Sequence, residues 1–405
     1  MKVLVLNAGS SSQKSCLYGI EETLPDDPLE PLWEAQIDWM EKDRAARLSV
    51  STLFGEQHTE TGSVPEREKT LSYLLSLLYQ GSTKVISSLA DIDVVGHRVV
   101  HGGKAYQESV LITPEVKATI EQLSVLAPSH NPANLEGIEL MEGLLSDVPQ
   151  IAVFDTAFHS QMPEAAAVYP GPYDWVEQDI RRYGFHGISH QYCTQRAAQI
   201  LERPVDELRL IICHLGNGAS LSAVEYGRSI DTTMGFTPLD GLMMGSRSGS
   251  VDPGILIHLM RQGCSTDDLD KLLNQASGLL GISGVSNDLR EIGEAIAQGN
   301  KQAQLAQDIY IHRLKACFGS MLMSLGGVDA IVFTAGVGEH AAGIRAAACE
   351  GMAFLGIALD LKKNESSPVD LDIATDESEV RVLVIHTQED WAIAQECWHY
   401  LASSL

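Results

Sequence analysis

Short apolar runs recur along the chain at Val3–Leu6, Asp93–Gly96, Ile151–Phe154, Leu210–Cys213, Ala330–Thr334 and Val380–Ile385. Most are continuous rather than alternating, which suits strands covered on both faces. Helical patterns fall between them. Within Glu66–Tyr79, leucine recurs at Leu71, Leu74, Leu75 and Leu78. Asn131-Pro132 reads as an N-cap followed by Pro at the first helical position, and Ser265 with Asp268 as a capping box. The pattern from Lys301 to Leu325 stops at Gly326-Gly327, a C-cap signal. The acidic, Pro-containing stretch Glu21–Pro31 reads as a loop. Strands alternating with helices predict an α/β protein, and 405 residues exceed what one core organises, so two domains are expected.

One echo bears on that division. VLVLNAGSSSQKSCLY near the start and LIICHLGNGASLSAVE, ending at Glu225, share a layout: an apolar strand, a turn of small residues, and an alternating strand. The pattern fits a duplicated domain and, equally, two ordinary Gly/Ser hairpins.

Polar residues fall at or just after the ends of the apolar runs: Asn7, His97-Arg98, Asp155, His214, Gly336 and Glu389. Open α/β sheets bind ligands beyond the carboxyl ends of their strands, so six such placements predict a site. Three of the turns suit phosphate. NAGSSS offers backbone N–H groups and hydroxyls, with Lys14 just beyond; HLGNGAS offers two glycines and the Asn217 amide; FTAGVGEHA sets Gly336 and Gly338 between a strand and a helical pattern. No G-x-x-x-x-G-K-[ST] occurs, which excludes a Walker-type ATPase. Arg98 and Arg247 lie among small and apolar residues, where a guanidinium either grips an anion bidentately or forms a structural ion pair. His97/His101 and His186/His190 have His-x-x-x-His spacing, but no H-E-x-x-H or third ligand accompanies them, so hydrogen-bonding roles are expected rather than zinc.

Composition narrows the function classes. A formal charge of −26 argues against nucleic acid and against an anionic membrane surface. Any phosphate site must then be locally rich in cations or N–H donors. Seven scattered cysteines without C-x-x-C read as reduced thiols. With no signal-peptide-like apolar run at the N-terminus and no membrane-length stretch, a cytoplasmic protein is expected.

NAGSSSQK, GHRVVHGG, PSHNP, FDTAFH, RYGFHGISH, HLGNGAS, TMGFTPLDGLMMGSRSGSVDP, SGVSNDLR, FTAGVGE and TQEDWAIA follow one another in this order. In this the chain resembles the acetate kinases over nearly its whole length. The resemblance implies two RNase H-like domains of the acetate and sugar kinase/actin superfamily, residues 1–156 with 391–405 and residues 157–390, with a nucleotide cleft between them. It implies transfer of the ATP γ-phosphate to acetate, with Mg²⁺ (or Mn²⁺) as cofactor, and a homodimer. Asn7 and Glu389 would help hold the metal. Ser10, Ser12, Lys14, His214, Leu215, Gly216, Asn217, Gly218, Asp288, Leu289, Arg290, Gly336, Val337, Gly338, Glu339 and His340 would line the ATP site. Asp155, His186, Arg247 and Arg98 would act around the phosphoryl group. Arg98 would also bind the carboxylate, His130 would bind the substrate, and Val100, Ser129, Phe185 and Pro238 would line the pocket for its methyl group. Ser129 stands where leucine is frequent, so another short-chain carboxylate such as propionate is the alternative substrate.

Acetate is ionised at neutral pH, with a pKa of about 4–5. No general base is demanded, and Asp155 is expected to act through metal or nucleophile alignment. A rival reading also stands at this point. Gly336–Ala341 fits G-x-G-x-x-A after a strand, with Asp360 at about the dinucleotide-binding distance, which would suit an NAD-dependent oxidoreductase. That reading leaves NAGSSSQK, HLGNGAS and both arginines without a task.

Overall fold

The computed structural model describes residues 1–9, 12–40, 45–63 and 67–404. The chain forms two compact units, residues 1–157 with 388–405 and residues 158–387. The second crossing falls three residues before the 390/391 boundary read from sequence. The helix Glu389–Ser404 begins there and packs on the sheet of the first unit.

The first unit holds eight strands: β1 (Lys2–Ala8), β2 (Ser12–Gly19), β3 (Trp33–Met40), β4 (Ala45–Thr52), β5 (Gln57–Ser63), β6 (Val94–Val99), β7 (Val110–Leu111) and β8 (Gln150–Phe154). Their order is β5-β4-β3-β2-β1-β6-β8-β7. β1 to β5 form an antiparallel meander, whereas β6 runs parallel to both β1 and β8. The continuous apolar runs are the central strands β1, β6 and β8, as two-sided burial requires. Leu4, Leu6, Leu17, Trp33 and Val95 share a core with Leu71, Leu74, Leu75 and Met141 from two helices, Arg67–Ser76 and Asn131–Leu144. The helix Glu389–Ser404 also covers the sheet: Trp391 lies against Tyr18 with ring centroids 5.4 Å apart. Gly96 lets that helix approach β6, because a Cβ there would lie 2.6 Å from Cys397 Sγ and 2.7 Å from Ile393 Cγ2.

The second unit contains β9 (Arg209–Leu215), β10 (Ala219–Glu225), β11 (Arg228–Thr232), β12 (Ala330–Thr334), β13 (Leu371–Asp372) and β14 (Arg381–Val384), in the order β11-β10-β9-β12-β14-β13. Strands β9, β10 and β11 are antiparallel neighbours; β12 is parallel to β9 and β14. Position by position, β3-β2-β1-β6-β8 and β11-β10-β9-β12-β14 have the same order and the same directions. Each series ends in a two-residue antiparallel edge strand, β7 or β13. The sequence echo is therefore a topological duplication of an RNase H-like α/β unit.

Local signals mostly resolve as expected, with one correction. Ser265 Oγ accepts the Asp268 N–H at 3.1 Å in a complete capping box. Gly326 ends the helix Lys301–Leu325 in the left-handed region, at φ 65°. Asn131, however, is not a cap: His130 occupies that position and Asn131 is the first helical residue. Its side chain accepts the His101 N–H at 3.1 Å and donates to the His101 and Ile120 carbonyls, so it is unavailable to the helix end. No sequence expectation covers β3 to β5: in β3 and β4 only alternate residues such as Trp33, Ala35, Ile37, Ala46, Leu48 and Val50 are buried, and β5 is polar with no buried side chain among its described residues.

Gly96→Val would force a side chain into Ile393 and Cys397. Overpacking of this kind costs about 1–3 kcal/mol, which denaturant unfolding of the variant against wild type will show as a lowered midpoint.

Candidate active site

In the first unit, polar side chains gather where β1, β6 and β8 end. Arg98, on β6, donates from Nη2 to Asp155 Oδ2 at 2.7 Å and from Nε to both Asp155 oxygens at 3.2 and 3.3 Å. Its Nη1 donates to Asn7 Oδ1 at 3.2 Å, and Asn7 Nδ2 donates to Asp390 Oδ1 at 3.0 Å. Lys14 Nζ closes the chain on Asp390 Oδ2 at 3.0 Å. Burial alone would lower the Arg98 pKa, but Asp155, Glu389 and Asp390 outweigh it and raise it. Lys14 is raised likewise, with burial opposing and Asp390 prevailing. Both side chains are firmly cationic.

Two asparagines that sequence reasoning missed pin this edge. Asn134 Nδ2 donates to the Ala8 carbonyl at 3.1 Å while its Oδ1 accepts the Val100 N–H at 3.2 Å, so it ties the ends of β1 and β6 together. Asn131 instead holds the backbone of His101, accepting its N–H and donating to its carbonyl. The legible signal was two asparagines three apart, one within PSHNP and one two residues beyond it, which on a helix share one face. Ser12 begins β2, its carbonyl accepting the Gly9 N–H at 2.8 Å; Ser10 lies outside the described residues. Val100 is buried, Ser129 is exposed in a turn and His130 precedes the helix Asn131–Leu144. Glu389 is half-buried at the first position of its helix.

In the second unit, His186 caps the helix Gly187–Ile200 with a left-handed backbone, φ 57°. Its ring stacks on His214, centroids 4.1 Å apart. Gly218 lies beside it: a Cβ there would be 3.4 Å from His186 Nε2 and 3.7 Å from Arg247 Nη1. The Arg247 guanidinium donates to the Pro238 carbonyl at 3.3 Å and has no carboxylate partner among the described residues. Burial lowers its pKa from the usual arginine value. The buried Phe185 carbonyl accepts from His159 Nε2 at 3.0 Å.

A cavity of about 760 Å³ opens in the same unit. It is lined by Gly216, Asn217, Asp288, Leu289, Arg290, Gly336, Val337 and His340, drawn from three separate sequence motifs. The volume falls in the range of small-molecule and cofactor sites, about 300–1,000 Å³. Leu279, Asn287, Gln307, Tyr310, Ala341, Gly343 and Ile344 also line it and escaped sequence reading. Gln307 and Tyr310, three apart on a long helix, carried no signal distinguishing them from core. His214, Leu215, Gly218, Gly338 and Glu339 were assigned to the same group and are not among its lining residues. Glu339 instead accepts from His386 Nδ1 at 2.6 Å and from the Thr387 N–H at 3.2 Å. Burial pushes its carboxyl up, but the His386 bond prevails and lowers it. Asp288 Oδ1 caps the helix Leu289–Ala297 through the Arg290 N–H at 2.8 Å.

The histidines with four-residue spacing make hydrogen bonds: His97 to Gln150 at 2.7 Å, His101 to the Gly103 N–H at 3.0 Å, and His186 and His190 both to Ser220. Asp360, the acidic residue of the oxidoreductase reading, caps its own helix through the Lys362 and Lys363 N–H groups at 2.9 and 3.1 Å.

Two RNase H-like units, each with a small-residue turn after its first strand and cationic or imidazole groups at the strand ends, define an actin-like ATPase fold of the acetate and sugar kinase class. Residues 2–395 match the model of the acetokinase family, and the chain belongs to that family. It is 67% identical over 398 residues to an acetate kinase of Acaryochloris marina, covering 98% of this chain and 99% of the relative. It is 64% identical over 407 residues to one from Nostoc sp., covering 99% and 100%. Among solved structures, an acetate kinase from Porphyromonas gingivalis superposes with a TM-score of 0.89 at 42% identity, covering 99% of both chains. A propionate kinase from Francisella tularensis gives 0.88 at 38%, covering 98% of both. Membership of this family removes the oxidoreductase alternative.

Buried histidines give the fold an acid sensitivity of known sign. Burial depresses His97 to about 4 from an ordinary 6.5, so between those values the unfolded chain binds a proton that the folded chain refuses. Stability is full above pH 6.5 and is lost as pH falls toward 4. His97→Gln, which keeps a donor for Gln150, is expected to reduce the loss of unfolding free energy between pH 7 and 5 by about 1–2 kcal/mol, measured by urea unfolding at both pH values.

Proposed function

We propose that the protein is an ATP-dependent carboxylate kinase that transfers the γ-phosphoryl group of ATP reversibly to acetate, giving acetyl phosphate and ADP. The observation that carries this reading is Arg247, a half-buried guanidinium with no carboxylate partner among the described residues, beside His186 and the Gly218 turn. An uncompensated buried cation is costly unless an anion arrives to meet it. The acetokinase relatives supply the acceptor's identity.

The chemistry sets the demands. Acetate is already a nucleophile at neutral pH, so the barrier is the approach of one anion to a polyanion. Catalysis is therefore charge neutralisation and in-line positioning. Arg98 binds the carboxylate, held in orientation by Asp155 and Asn7. Arg247 and His186 contact the phosphoryl oxygens. The 760 Å³ cavity takes adenosine, and the start of β2, with Ser12 and Lys14, and the turn at Gly216 to Gly218 take phosphate. Asp155, whose oxygens accept three bonds from Arg98, orients the acceptor side instead of removing a proton.

Asn7 Oδ1 and the Glu389 carboxylate would hold Mg²⁺, or Mn²⁺ in its place. Both are hard oxygen donors, and Glu389 is close enough to Arg98 to raise its pKa. No cluster of three His, Cys, Asp or Glu side chains that could hold a metal occurs among the described residues. A sparse donor set suits Mg²⁺, which takes one or two protein oxygens and completes its shell from water and substrate phosphate. Bound there, the ion would neutralise charge on the phosphates.

Substrate breadth turns on the methyl pocket assigned to Val100, Ser129, Phe185 and Pro238. The exposed, polar Ser129 favours a pocket that also admits propionate. We further propose a cytoplasmic homodimer. All seven cysteines are free thiols. The apolar helix Pro253–Arg261 buries none of its residues, leaving Ile255, Ile257 and Met260 about half exposed, a face that a second copy would cover.

Incubating the protein with ATP, Mg²⁺, acetate and hydroxylamine is expected to yield acetohydroxamate; ADP release without hydroxamate refutes the acceptor assignment. Arg247→Ala is expected to lower kcat by about 10³–10⁵, or roughly 4–7 kcal/mol, and a loss below tenfold removes Arg247 from the mechanism. Ser129→Leu is expected to raise the acetate-to-propionate ratio of kcat/KM by about 10–200-fold, the worth of one methylene in an apolar pocket.

A further inference from the structure

Behind His186 lies a hydrogen-bonded array that neither the sequence motifs nor the proposed reaction assigns a role. Ser220 Oγ, fully buried on β10, is 2.9 Å from His186 Nδ1 and 2.8 Å from His190 Nε2. His190 is also fully buried, and its Nδ1 has no hydrogen-bond partner among the described residues. His159, its edge-on neighbour with centroids 5.5 Å apart, is held by Ser229 at 2.7 Å and by the Phe185 carbonyl at 3.0 Å.

Counting protons leaves one arrangement that satisfies the array. Ser220 has a single hydroxyl hydrogen and two imidazole nitrogens against it. If that hydrogen went to His190, the neutral His190 ring would carry its proton on Nδ1, leaving a buried N–H without an acceptor. Orphaned buried N–H groups are rare, and a bare acceptor is tolerated more readily. The reverse order leaves no orphan donor: His190 Nε2–H donates to Ser220 Oγ, and Ser220 Oγ–H donates to His186 Nδ1. The His186 proton then resides on Nε2, the nitrogen beside Gly218 and Arg247.

We propose that Ser220 and His190 are positioning residues that fix His186 as the neutral Nε2–H tautomer, so that it donates a hydrogen bond to the phosphoryl group in transfer. The inference rests on the phosphoryl-transfer reading. A neutral donor adds stabilisation for the developing charge next to Arg247 without adding a second cation that would repel it. The left-handed backbone of His186, φ 57°, is a conformation non-glycine residues seldom adopt. The Ser220 bond and the stacked His214 ring hold the imidazole in one orientation despite it. Burial keeps His190 and His159 neutral, as a relay of single protons requires.

The test reads the tautomer directly. Imidazole ¹⁵N NMR of the wild-type protein at pH 7 should show His186 protonated at Nε2 only; protonation at Nδ1, or at both nitrogens, overturns the proposal. In Ser220→Ala that signature should be lost, and kcat should fall by at least about tenfold, toward the 10²–10³ of a deleted transition-state donor, with KM for ATP little changed. Retained kcat, or a fall in kcat with the tautomer unaltered, overturns it as well. His190→Gln, whose amide N–H can replace Nε2–H, should keep more activity than His190→Leu. Should wild type form no acyl phosphate, the functional reading fails while the wild-type NMR result still decides the tautomer.

Discussion

The constraint on which the structure depends is electrostatic: a chain of charge −26 must present cations to anionic substrates. It does so locally. In the first unit Arg98 and Lys14 are embedded among Asp155, Asn7 and Asp390, so each cation is held in place by acceptors that also fix its direction. In the second unit Arg247 has no carboxylate partner among the described residues, and its positive charge remains available. A compensated cation is a positioned one, and an uncompensated cation is a strong one. The proposed reaction needs both kinds, the first to bind and orient a carboxylate and the second to meet charge that builds on the phosphoryl group.

The duplicated fold is what makes such placement possible. Parallel strands β1, β6 and β8 end together, as do β9, β12 and β14, and side chains just past those ends come from sequence positions far apart. Tight packing then fixes each end. Gly96 admits the helix Glu389–Ser404 against β6, and that helix carries Asp390 to Asn7 and Lys14. Asn134 joins the ends of β1 and β6 by hydrogen bonds from one side chain. The polar ends thus inherit the rigidity of the buried sheets, as preorganised catalysis requires.

Much of this was legible from residue order alone. The six apolar runs coincide with central strands because two-sided burial writes itself as continuous hydrophobicity. Arg98, Asp155 and Asn7 were legible as site candidates because each stands just past the end of an apolar run. Strands β3 and β4 were not, since one face is solvated and their polar positions mask the alternation, and β5 was not, since it is polar throughout. Asn131 illustrates a different failure: its local signal is a helix cap, but a tertiary demand, the backbone of His101, claims the side chain. The cavity-lining Gln307 and Tyr310 sit on a long helix where nothing local separates a lining residue from a core one. The role inferred for Ser220 emerges only from distances, because a serine in an alternating strand carries no mark of what it touches.

The central claim is that a carboxylate oxygen attacks the γ-phosphorus of ATP with no prior proton removal. The most direct measurement is ³¹P NMR of the product formed from ATP and [¹⁸O₂]acetate. If the acetate oxygen becomes the bridging oxygen of an acyl phosphate, the product phosphorus carries an ¹⁸O isotope shift, which is the result expected here. Orthophosphate without that shift, formed at the same rate as ADP, would mean that water is the acceptor and would contradict the account.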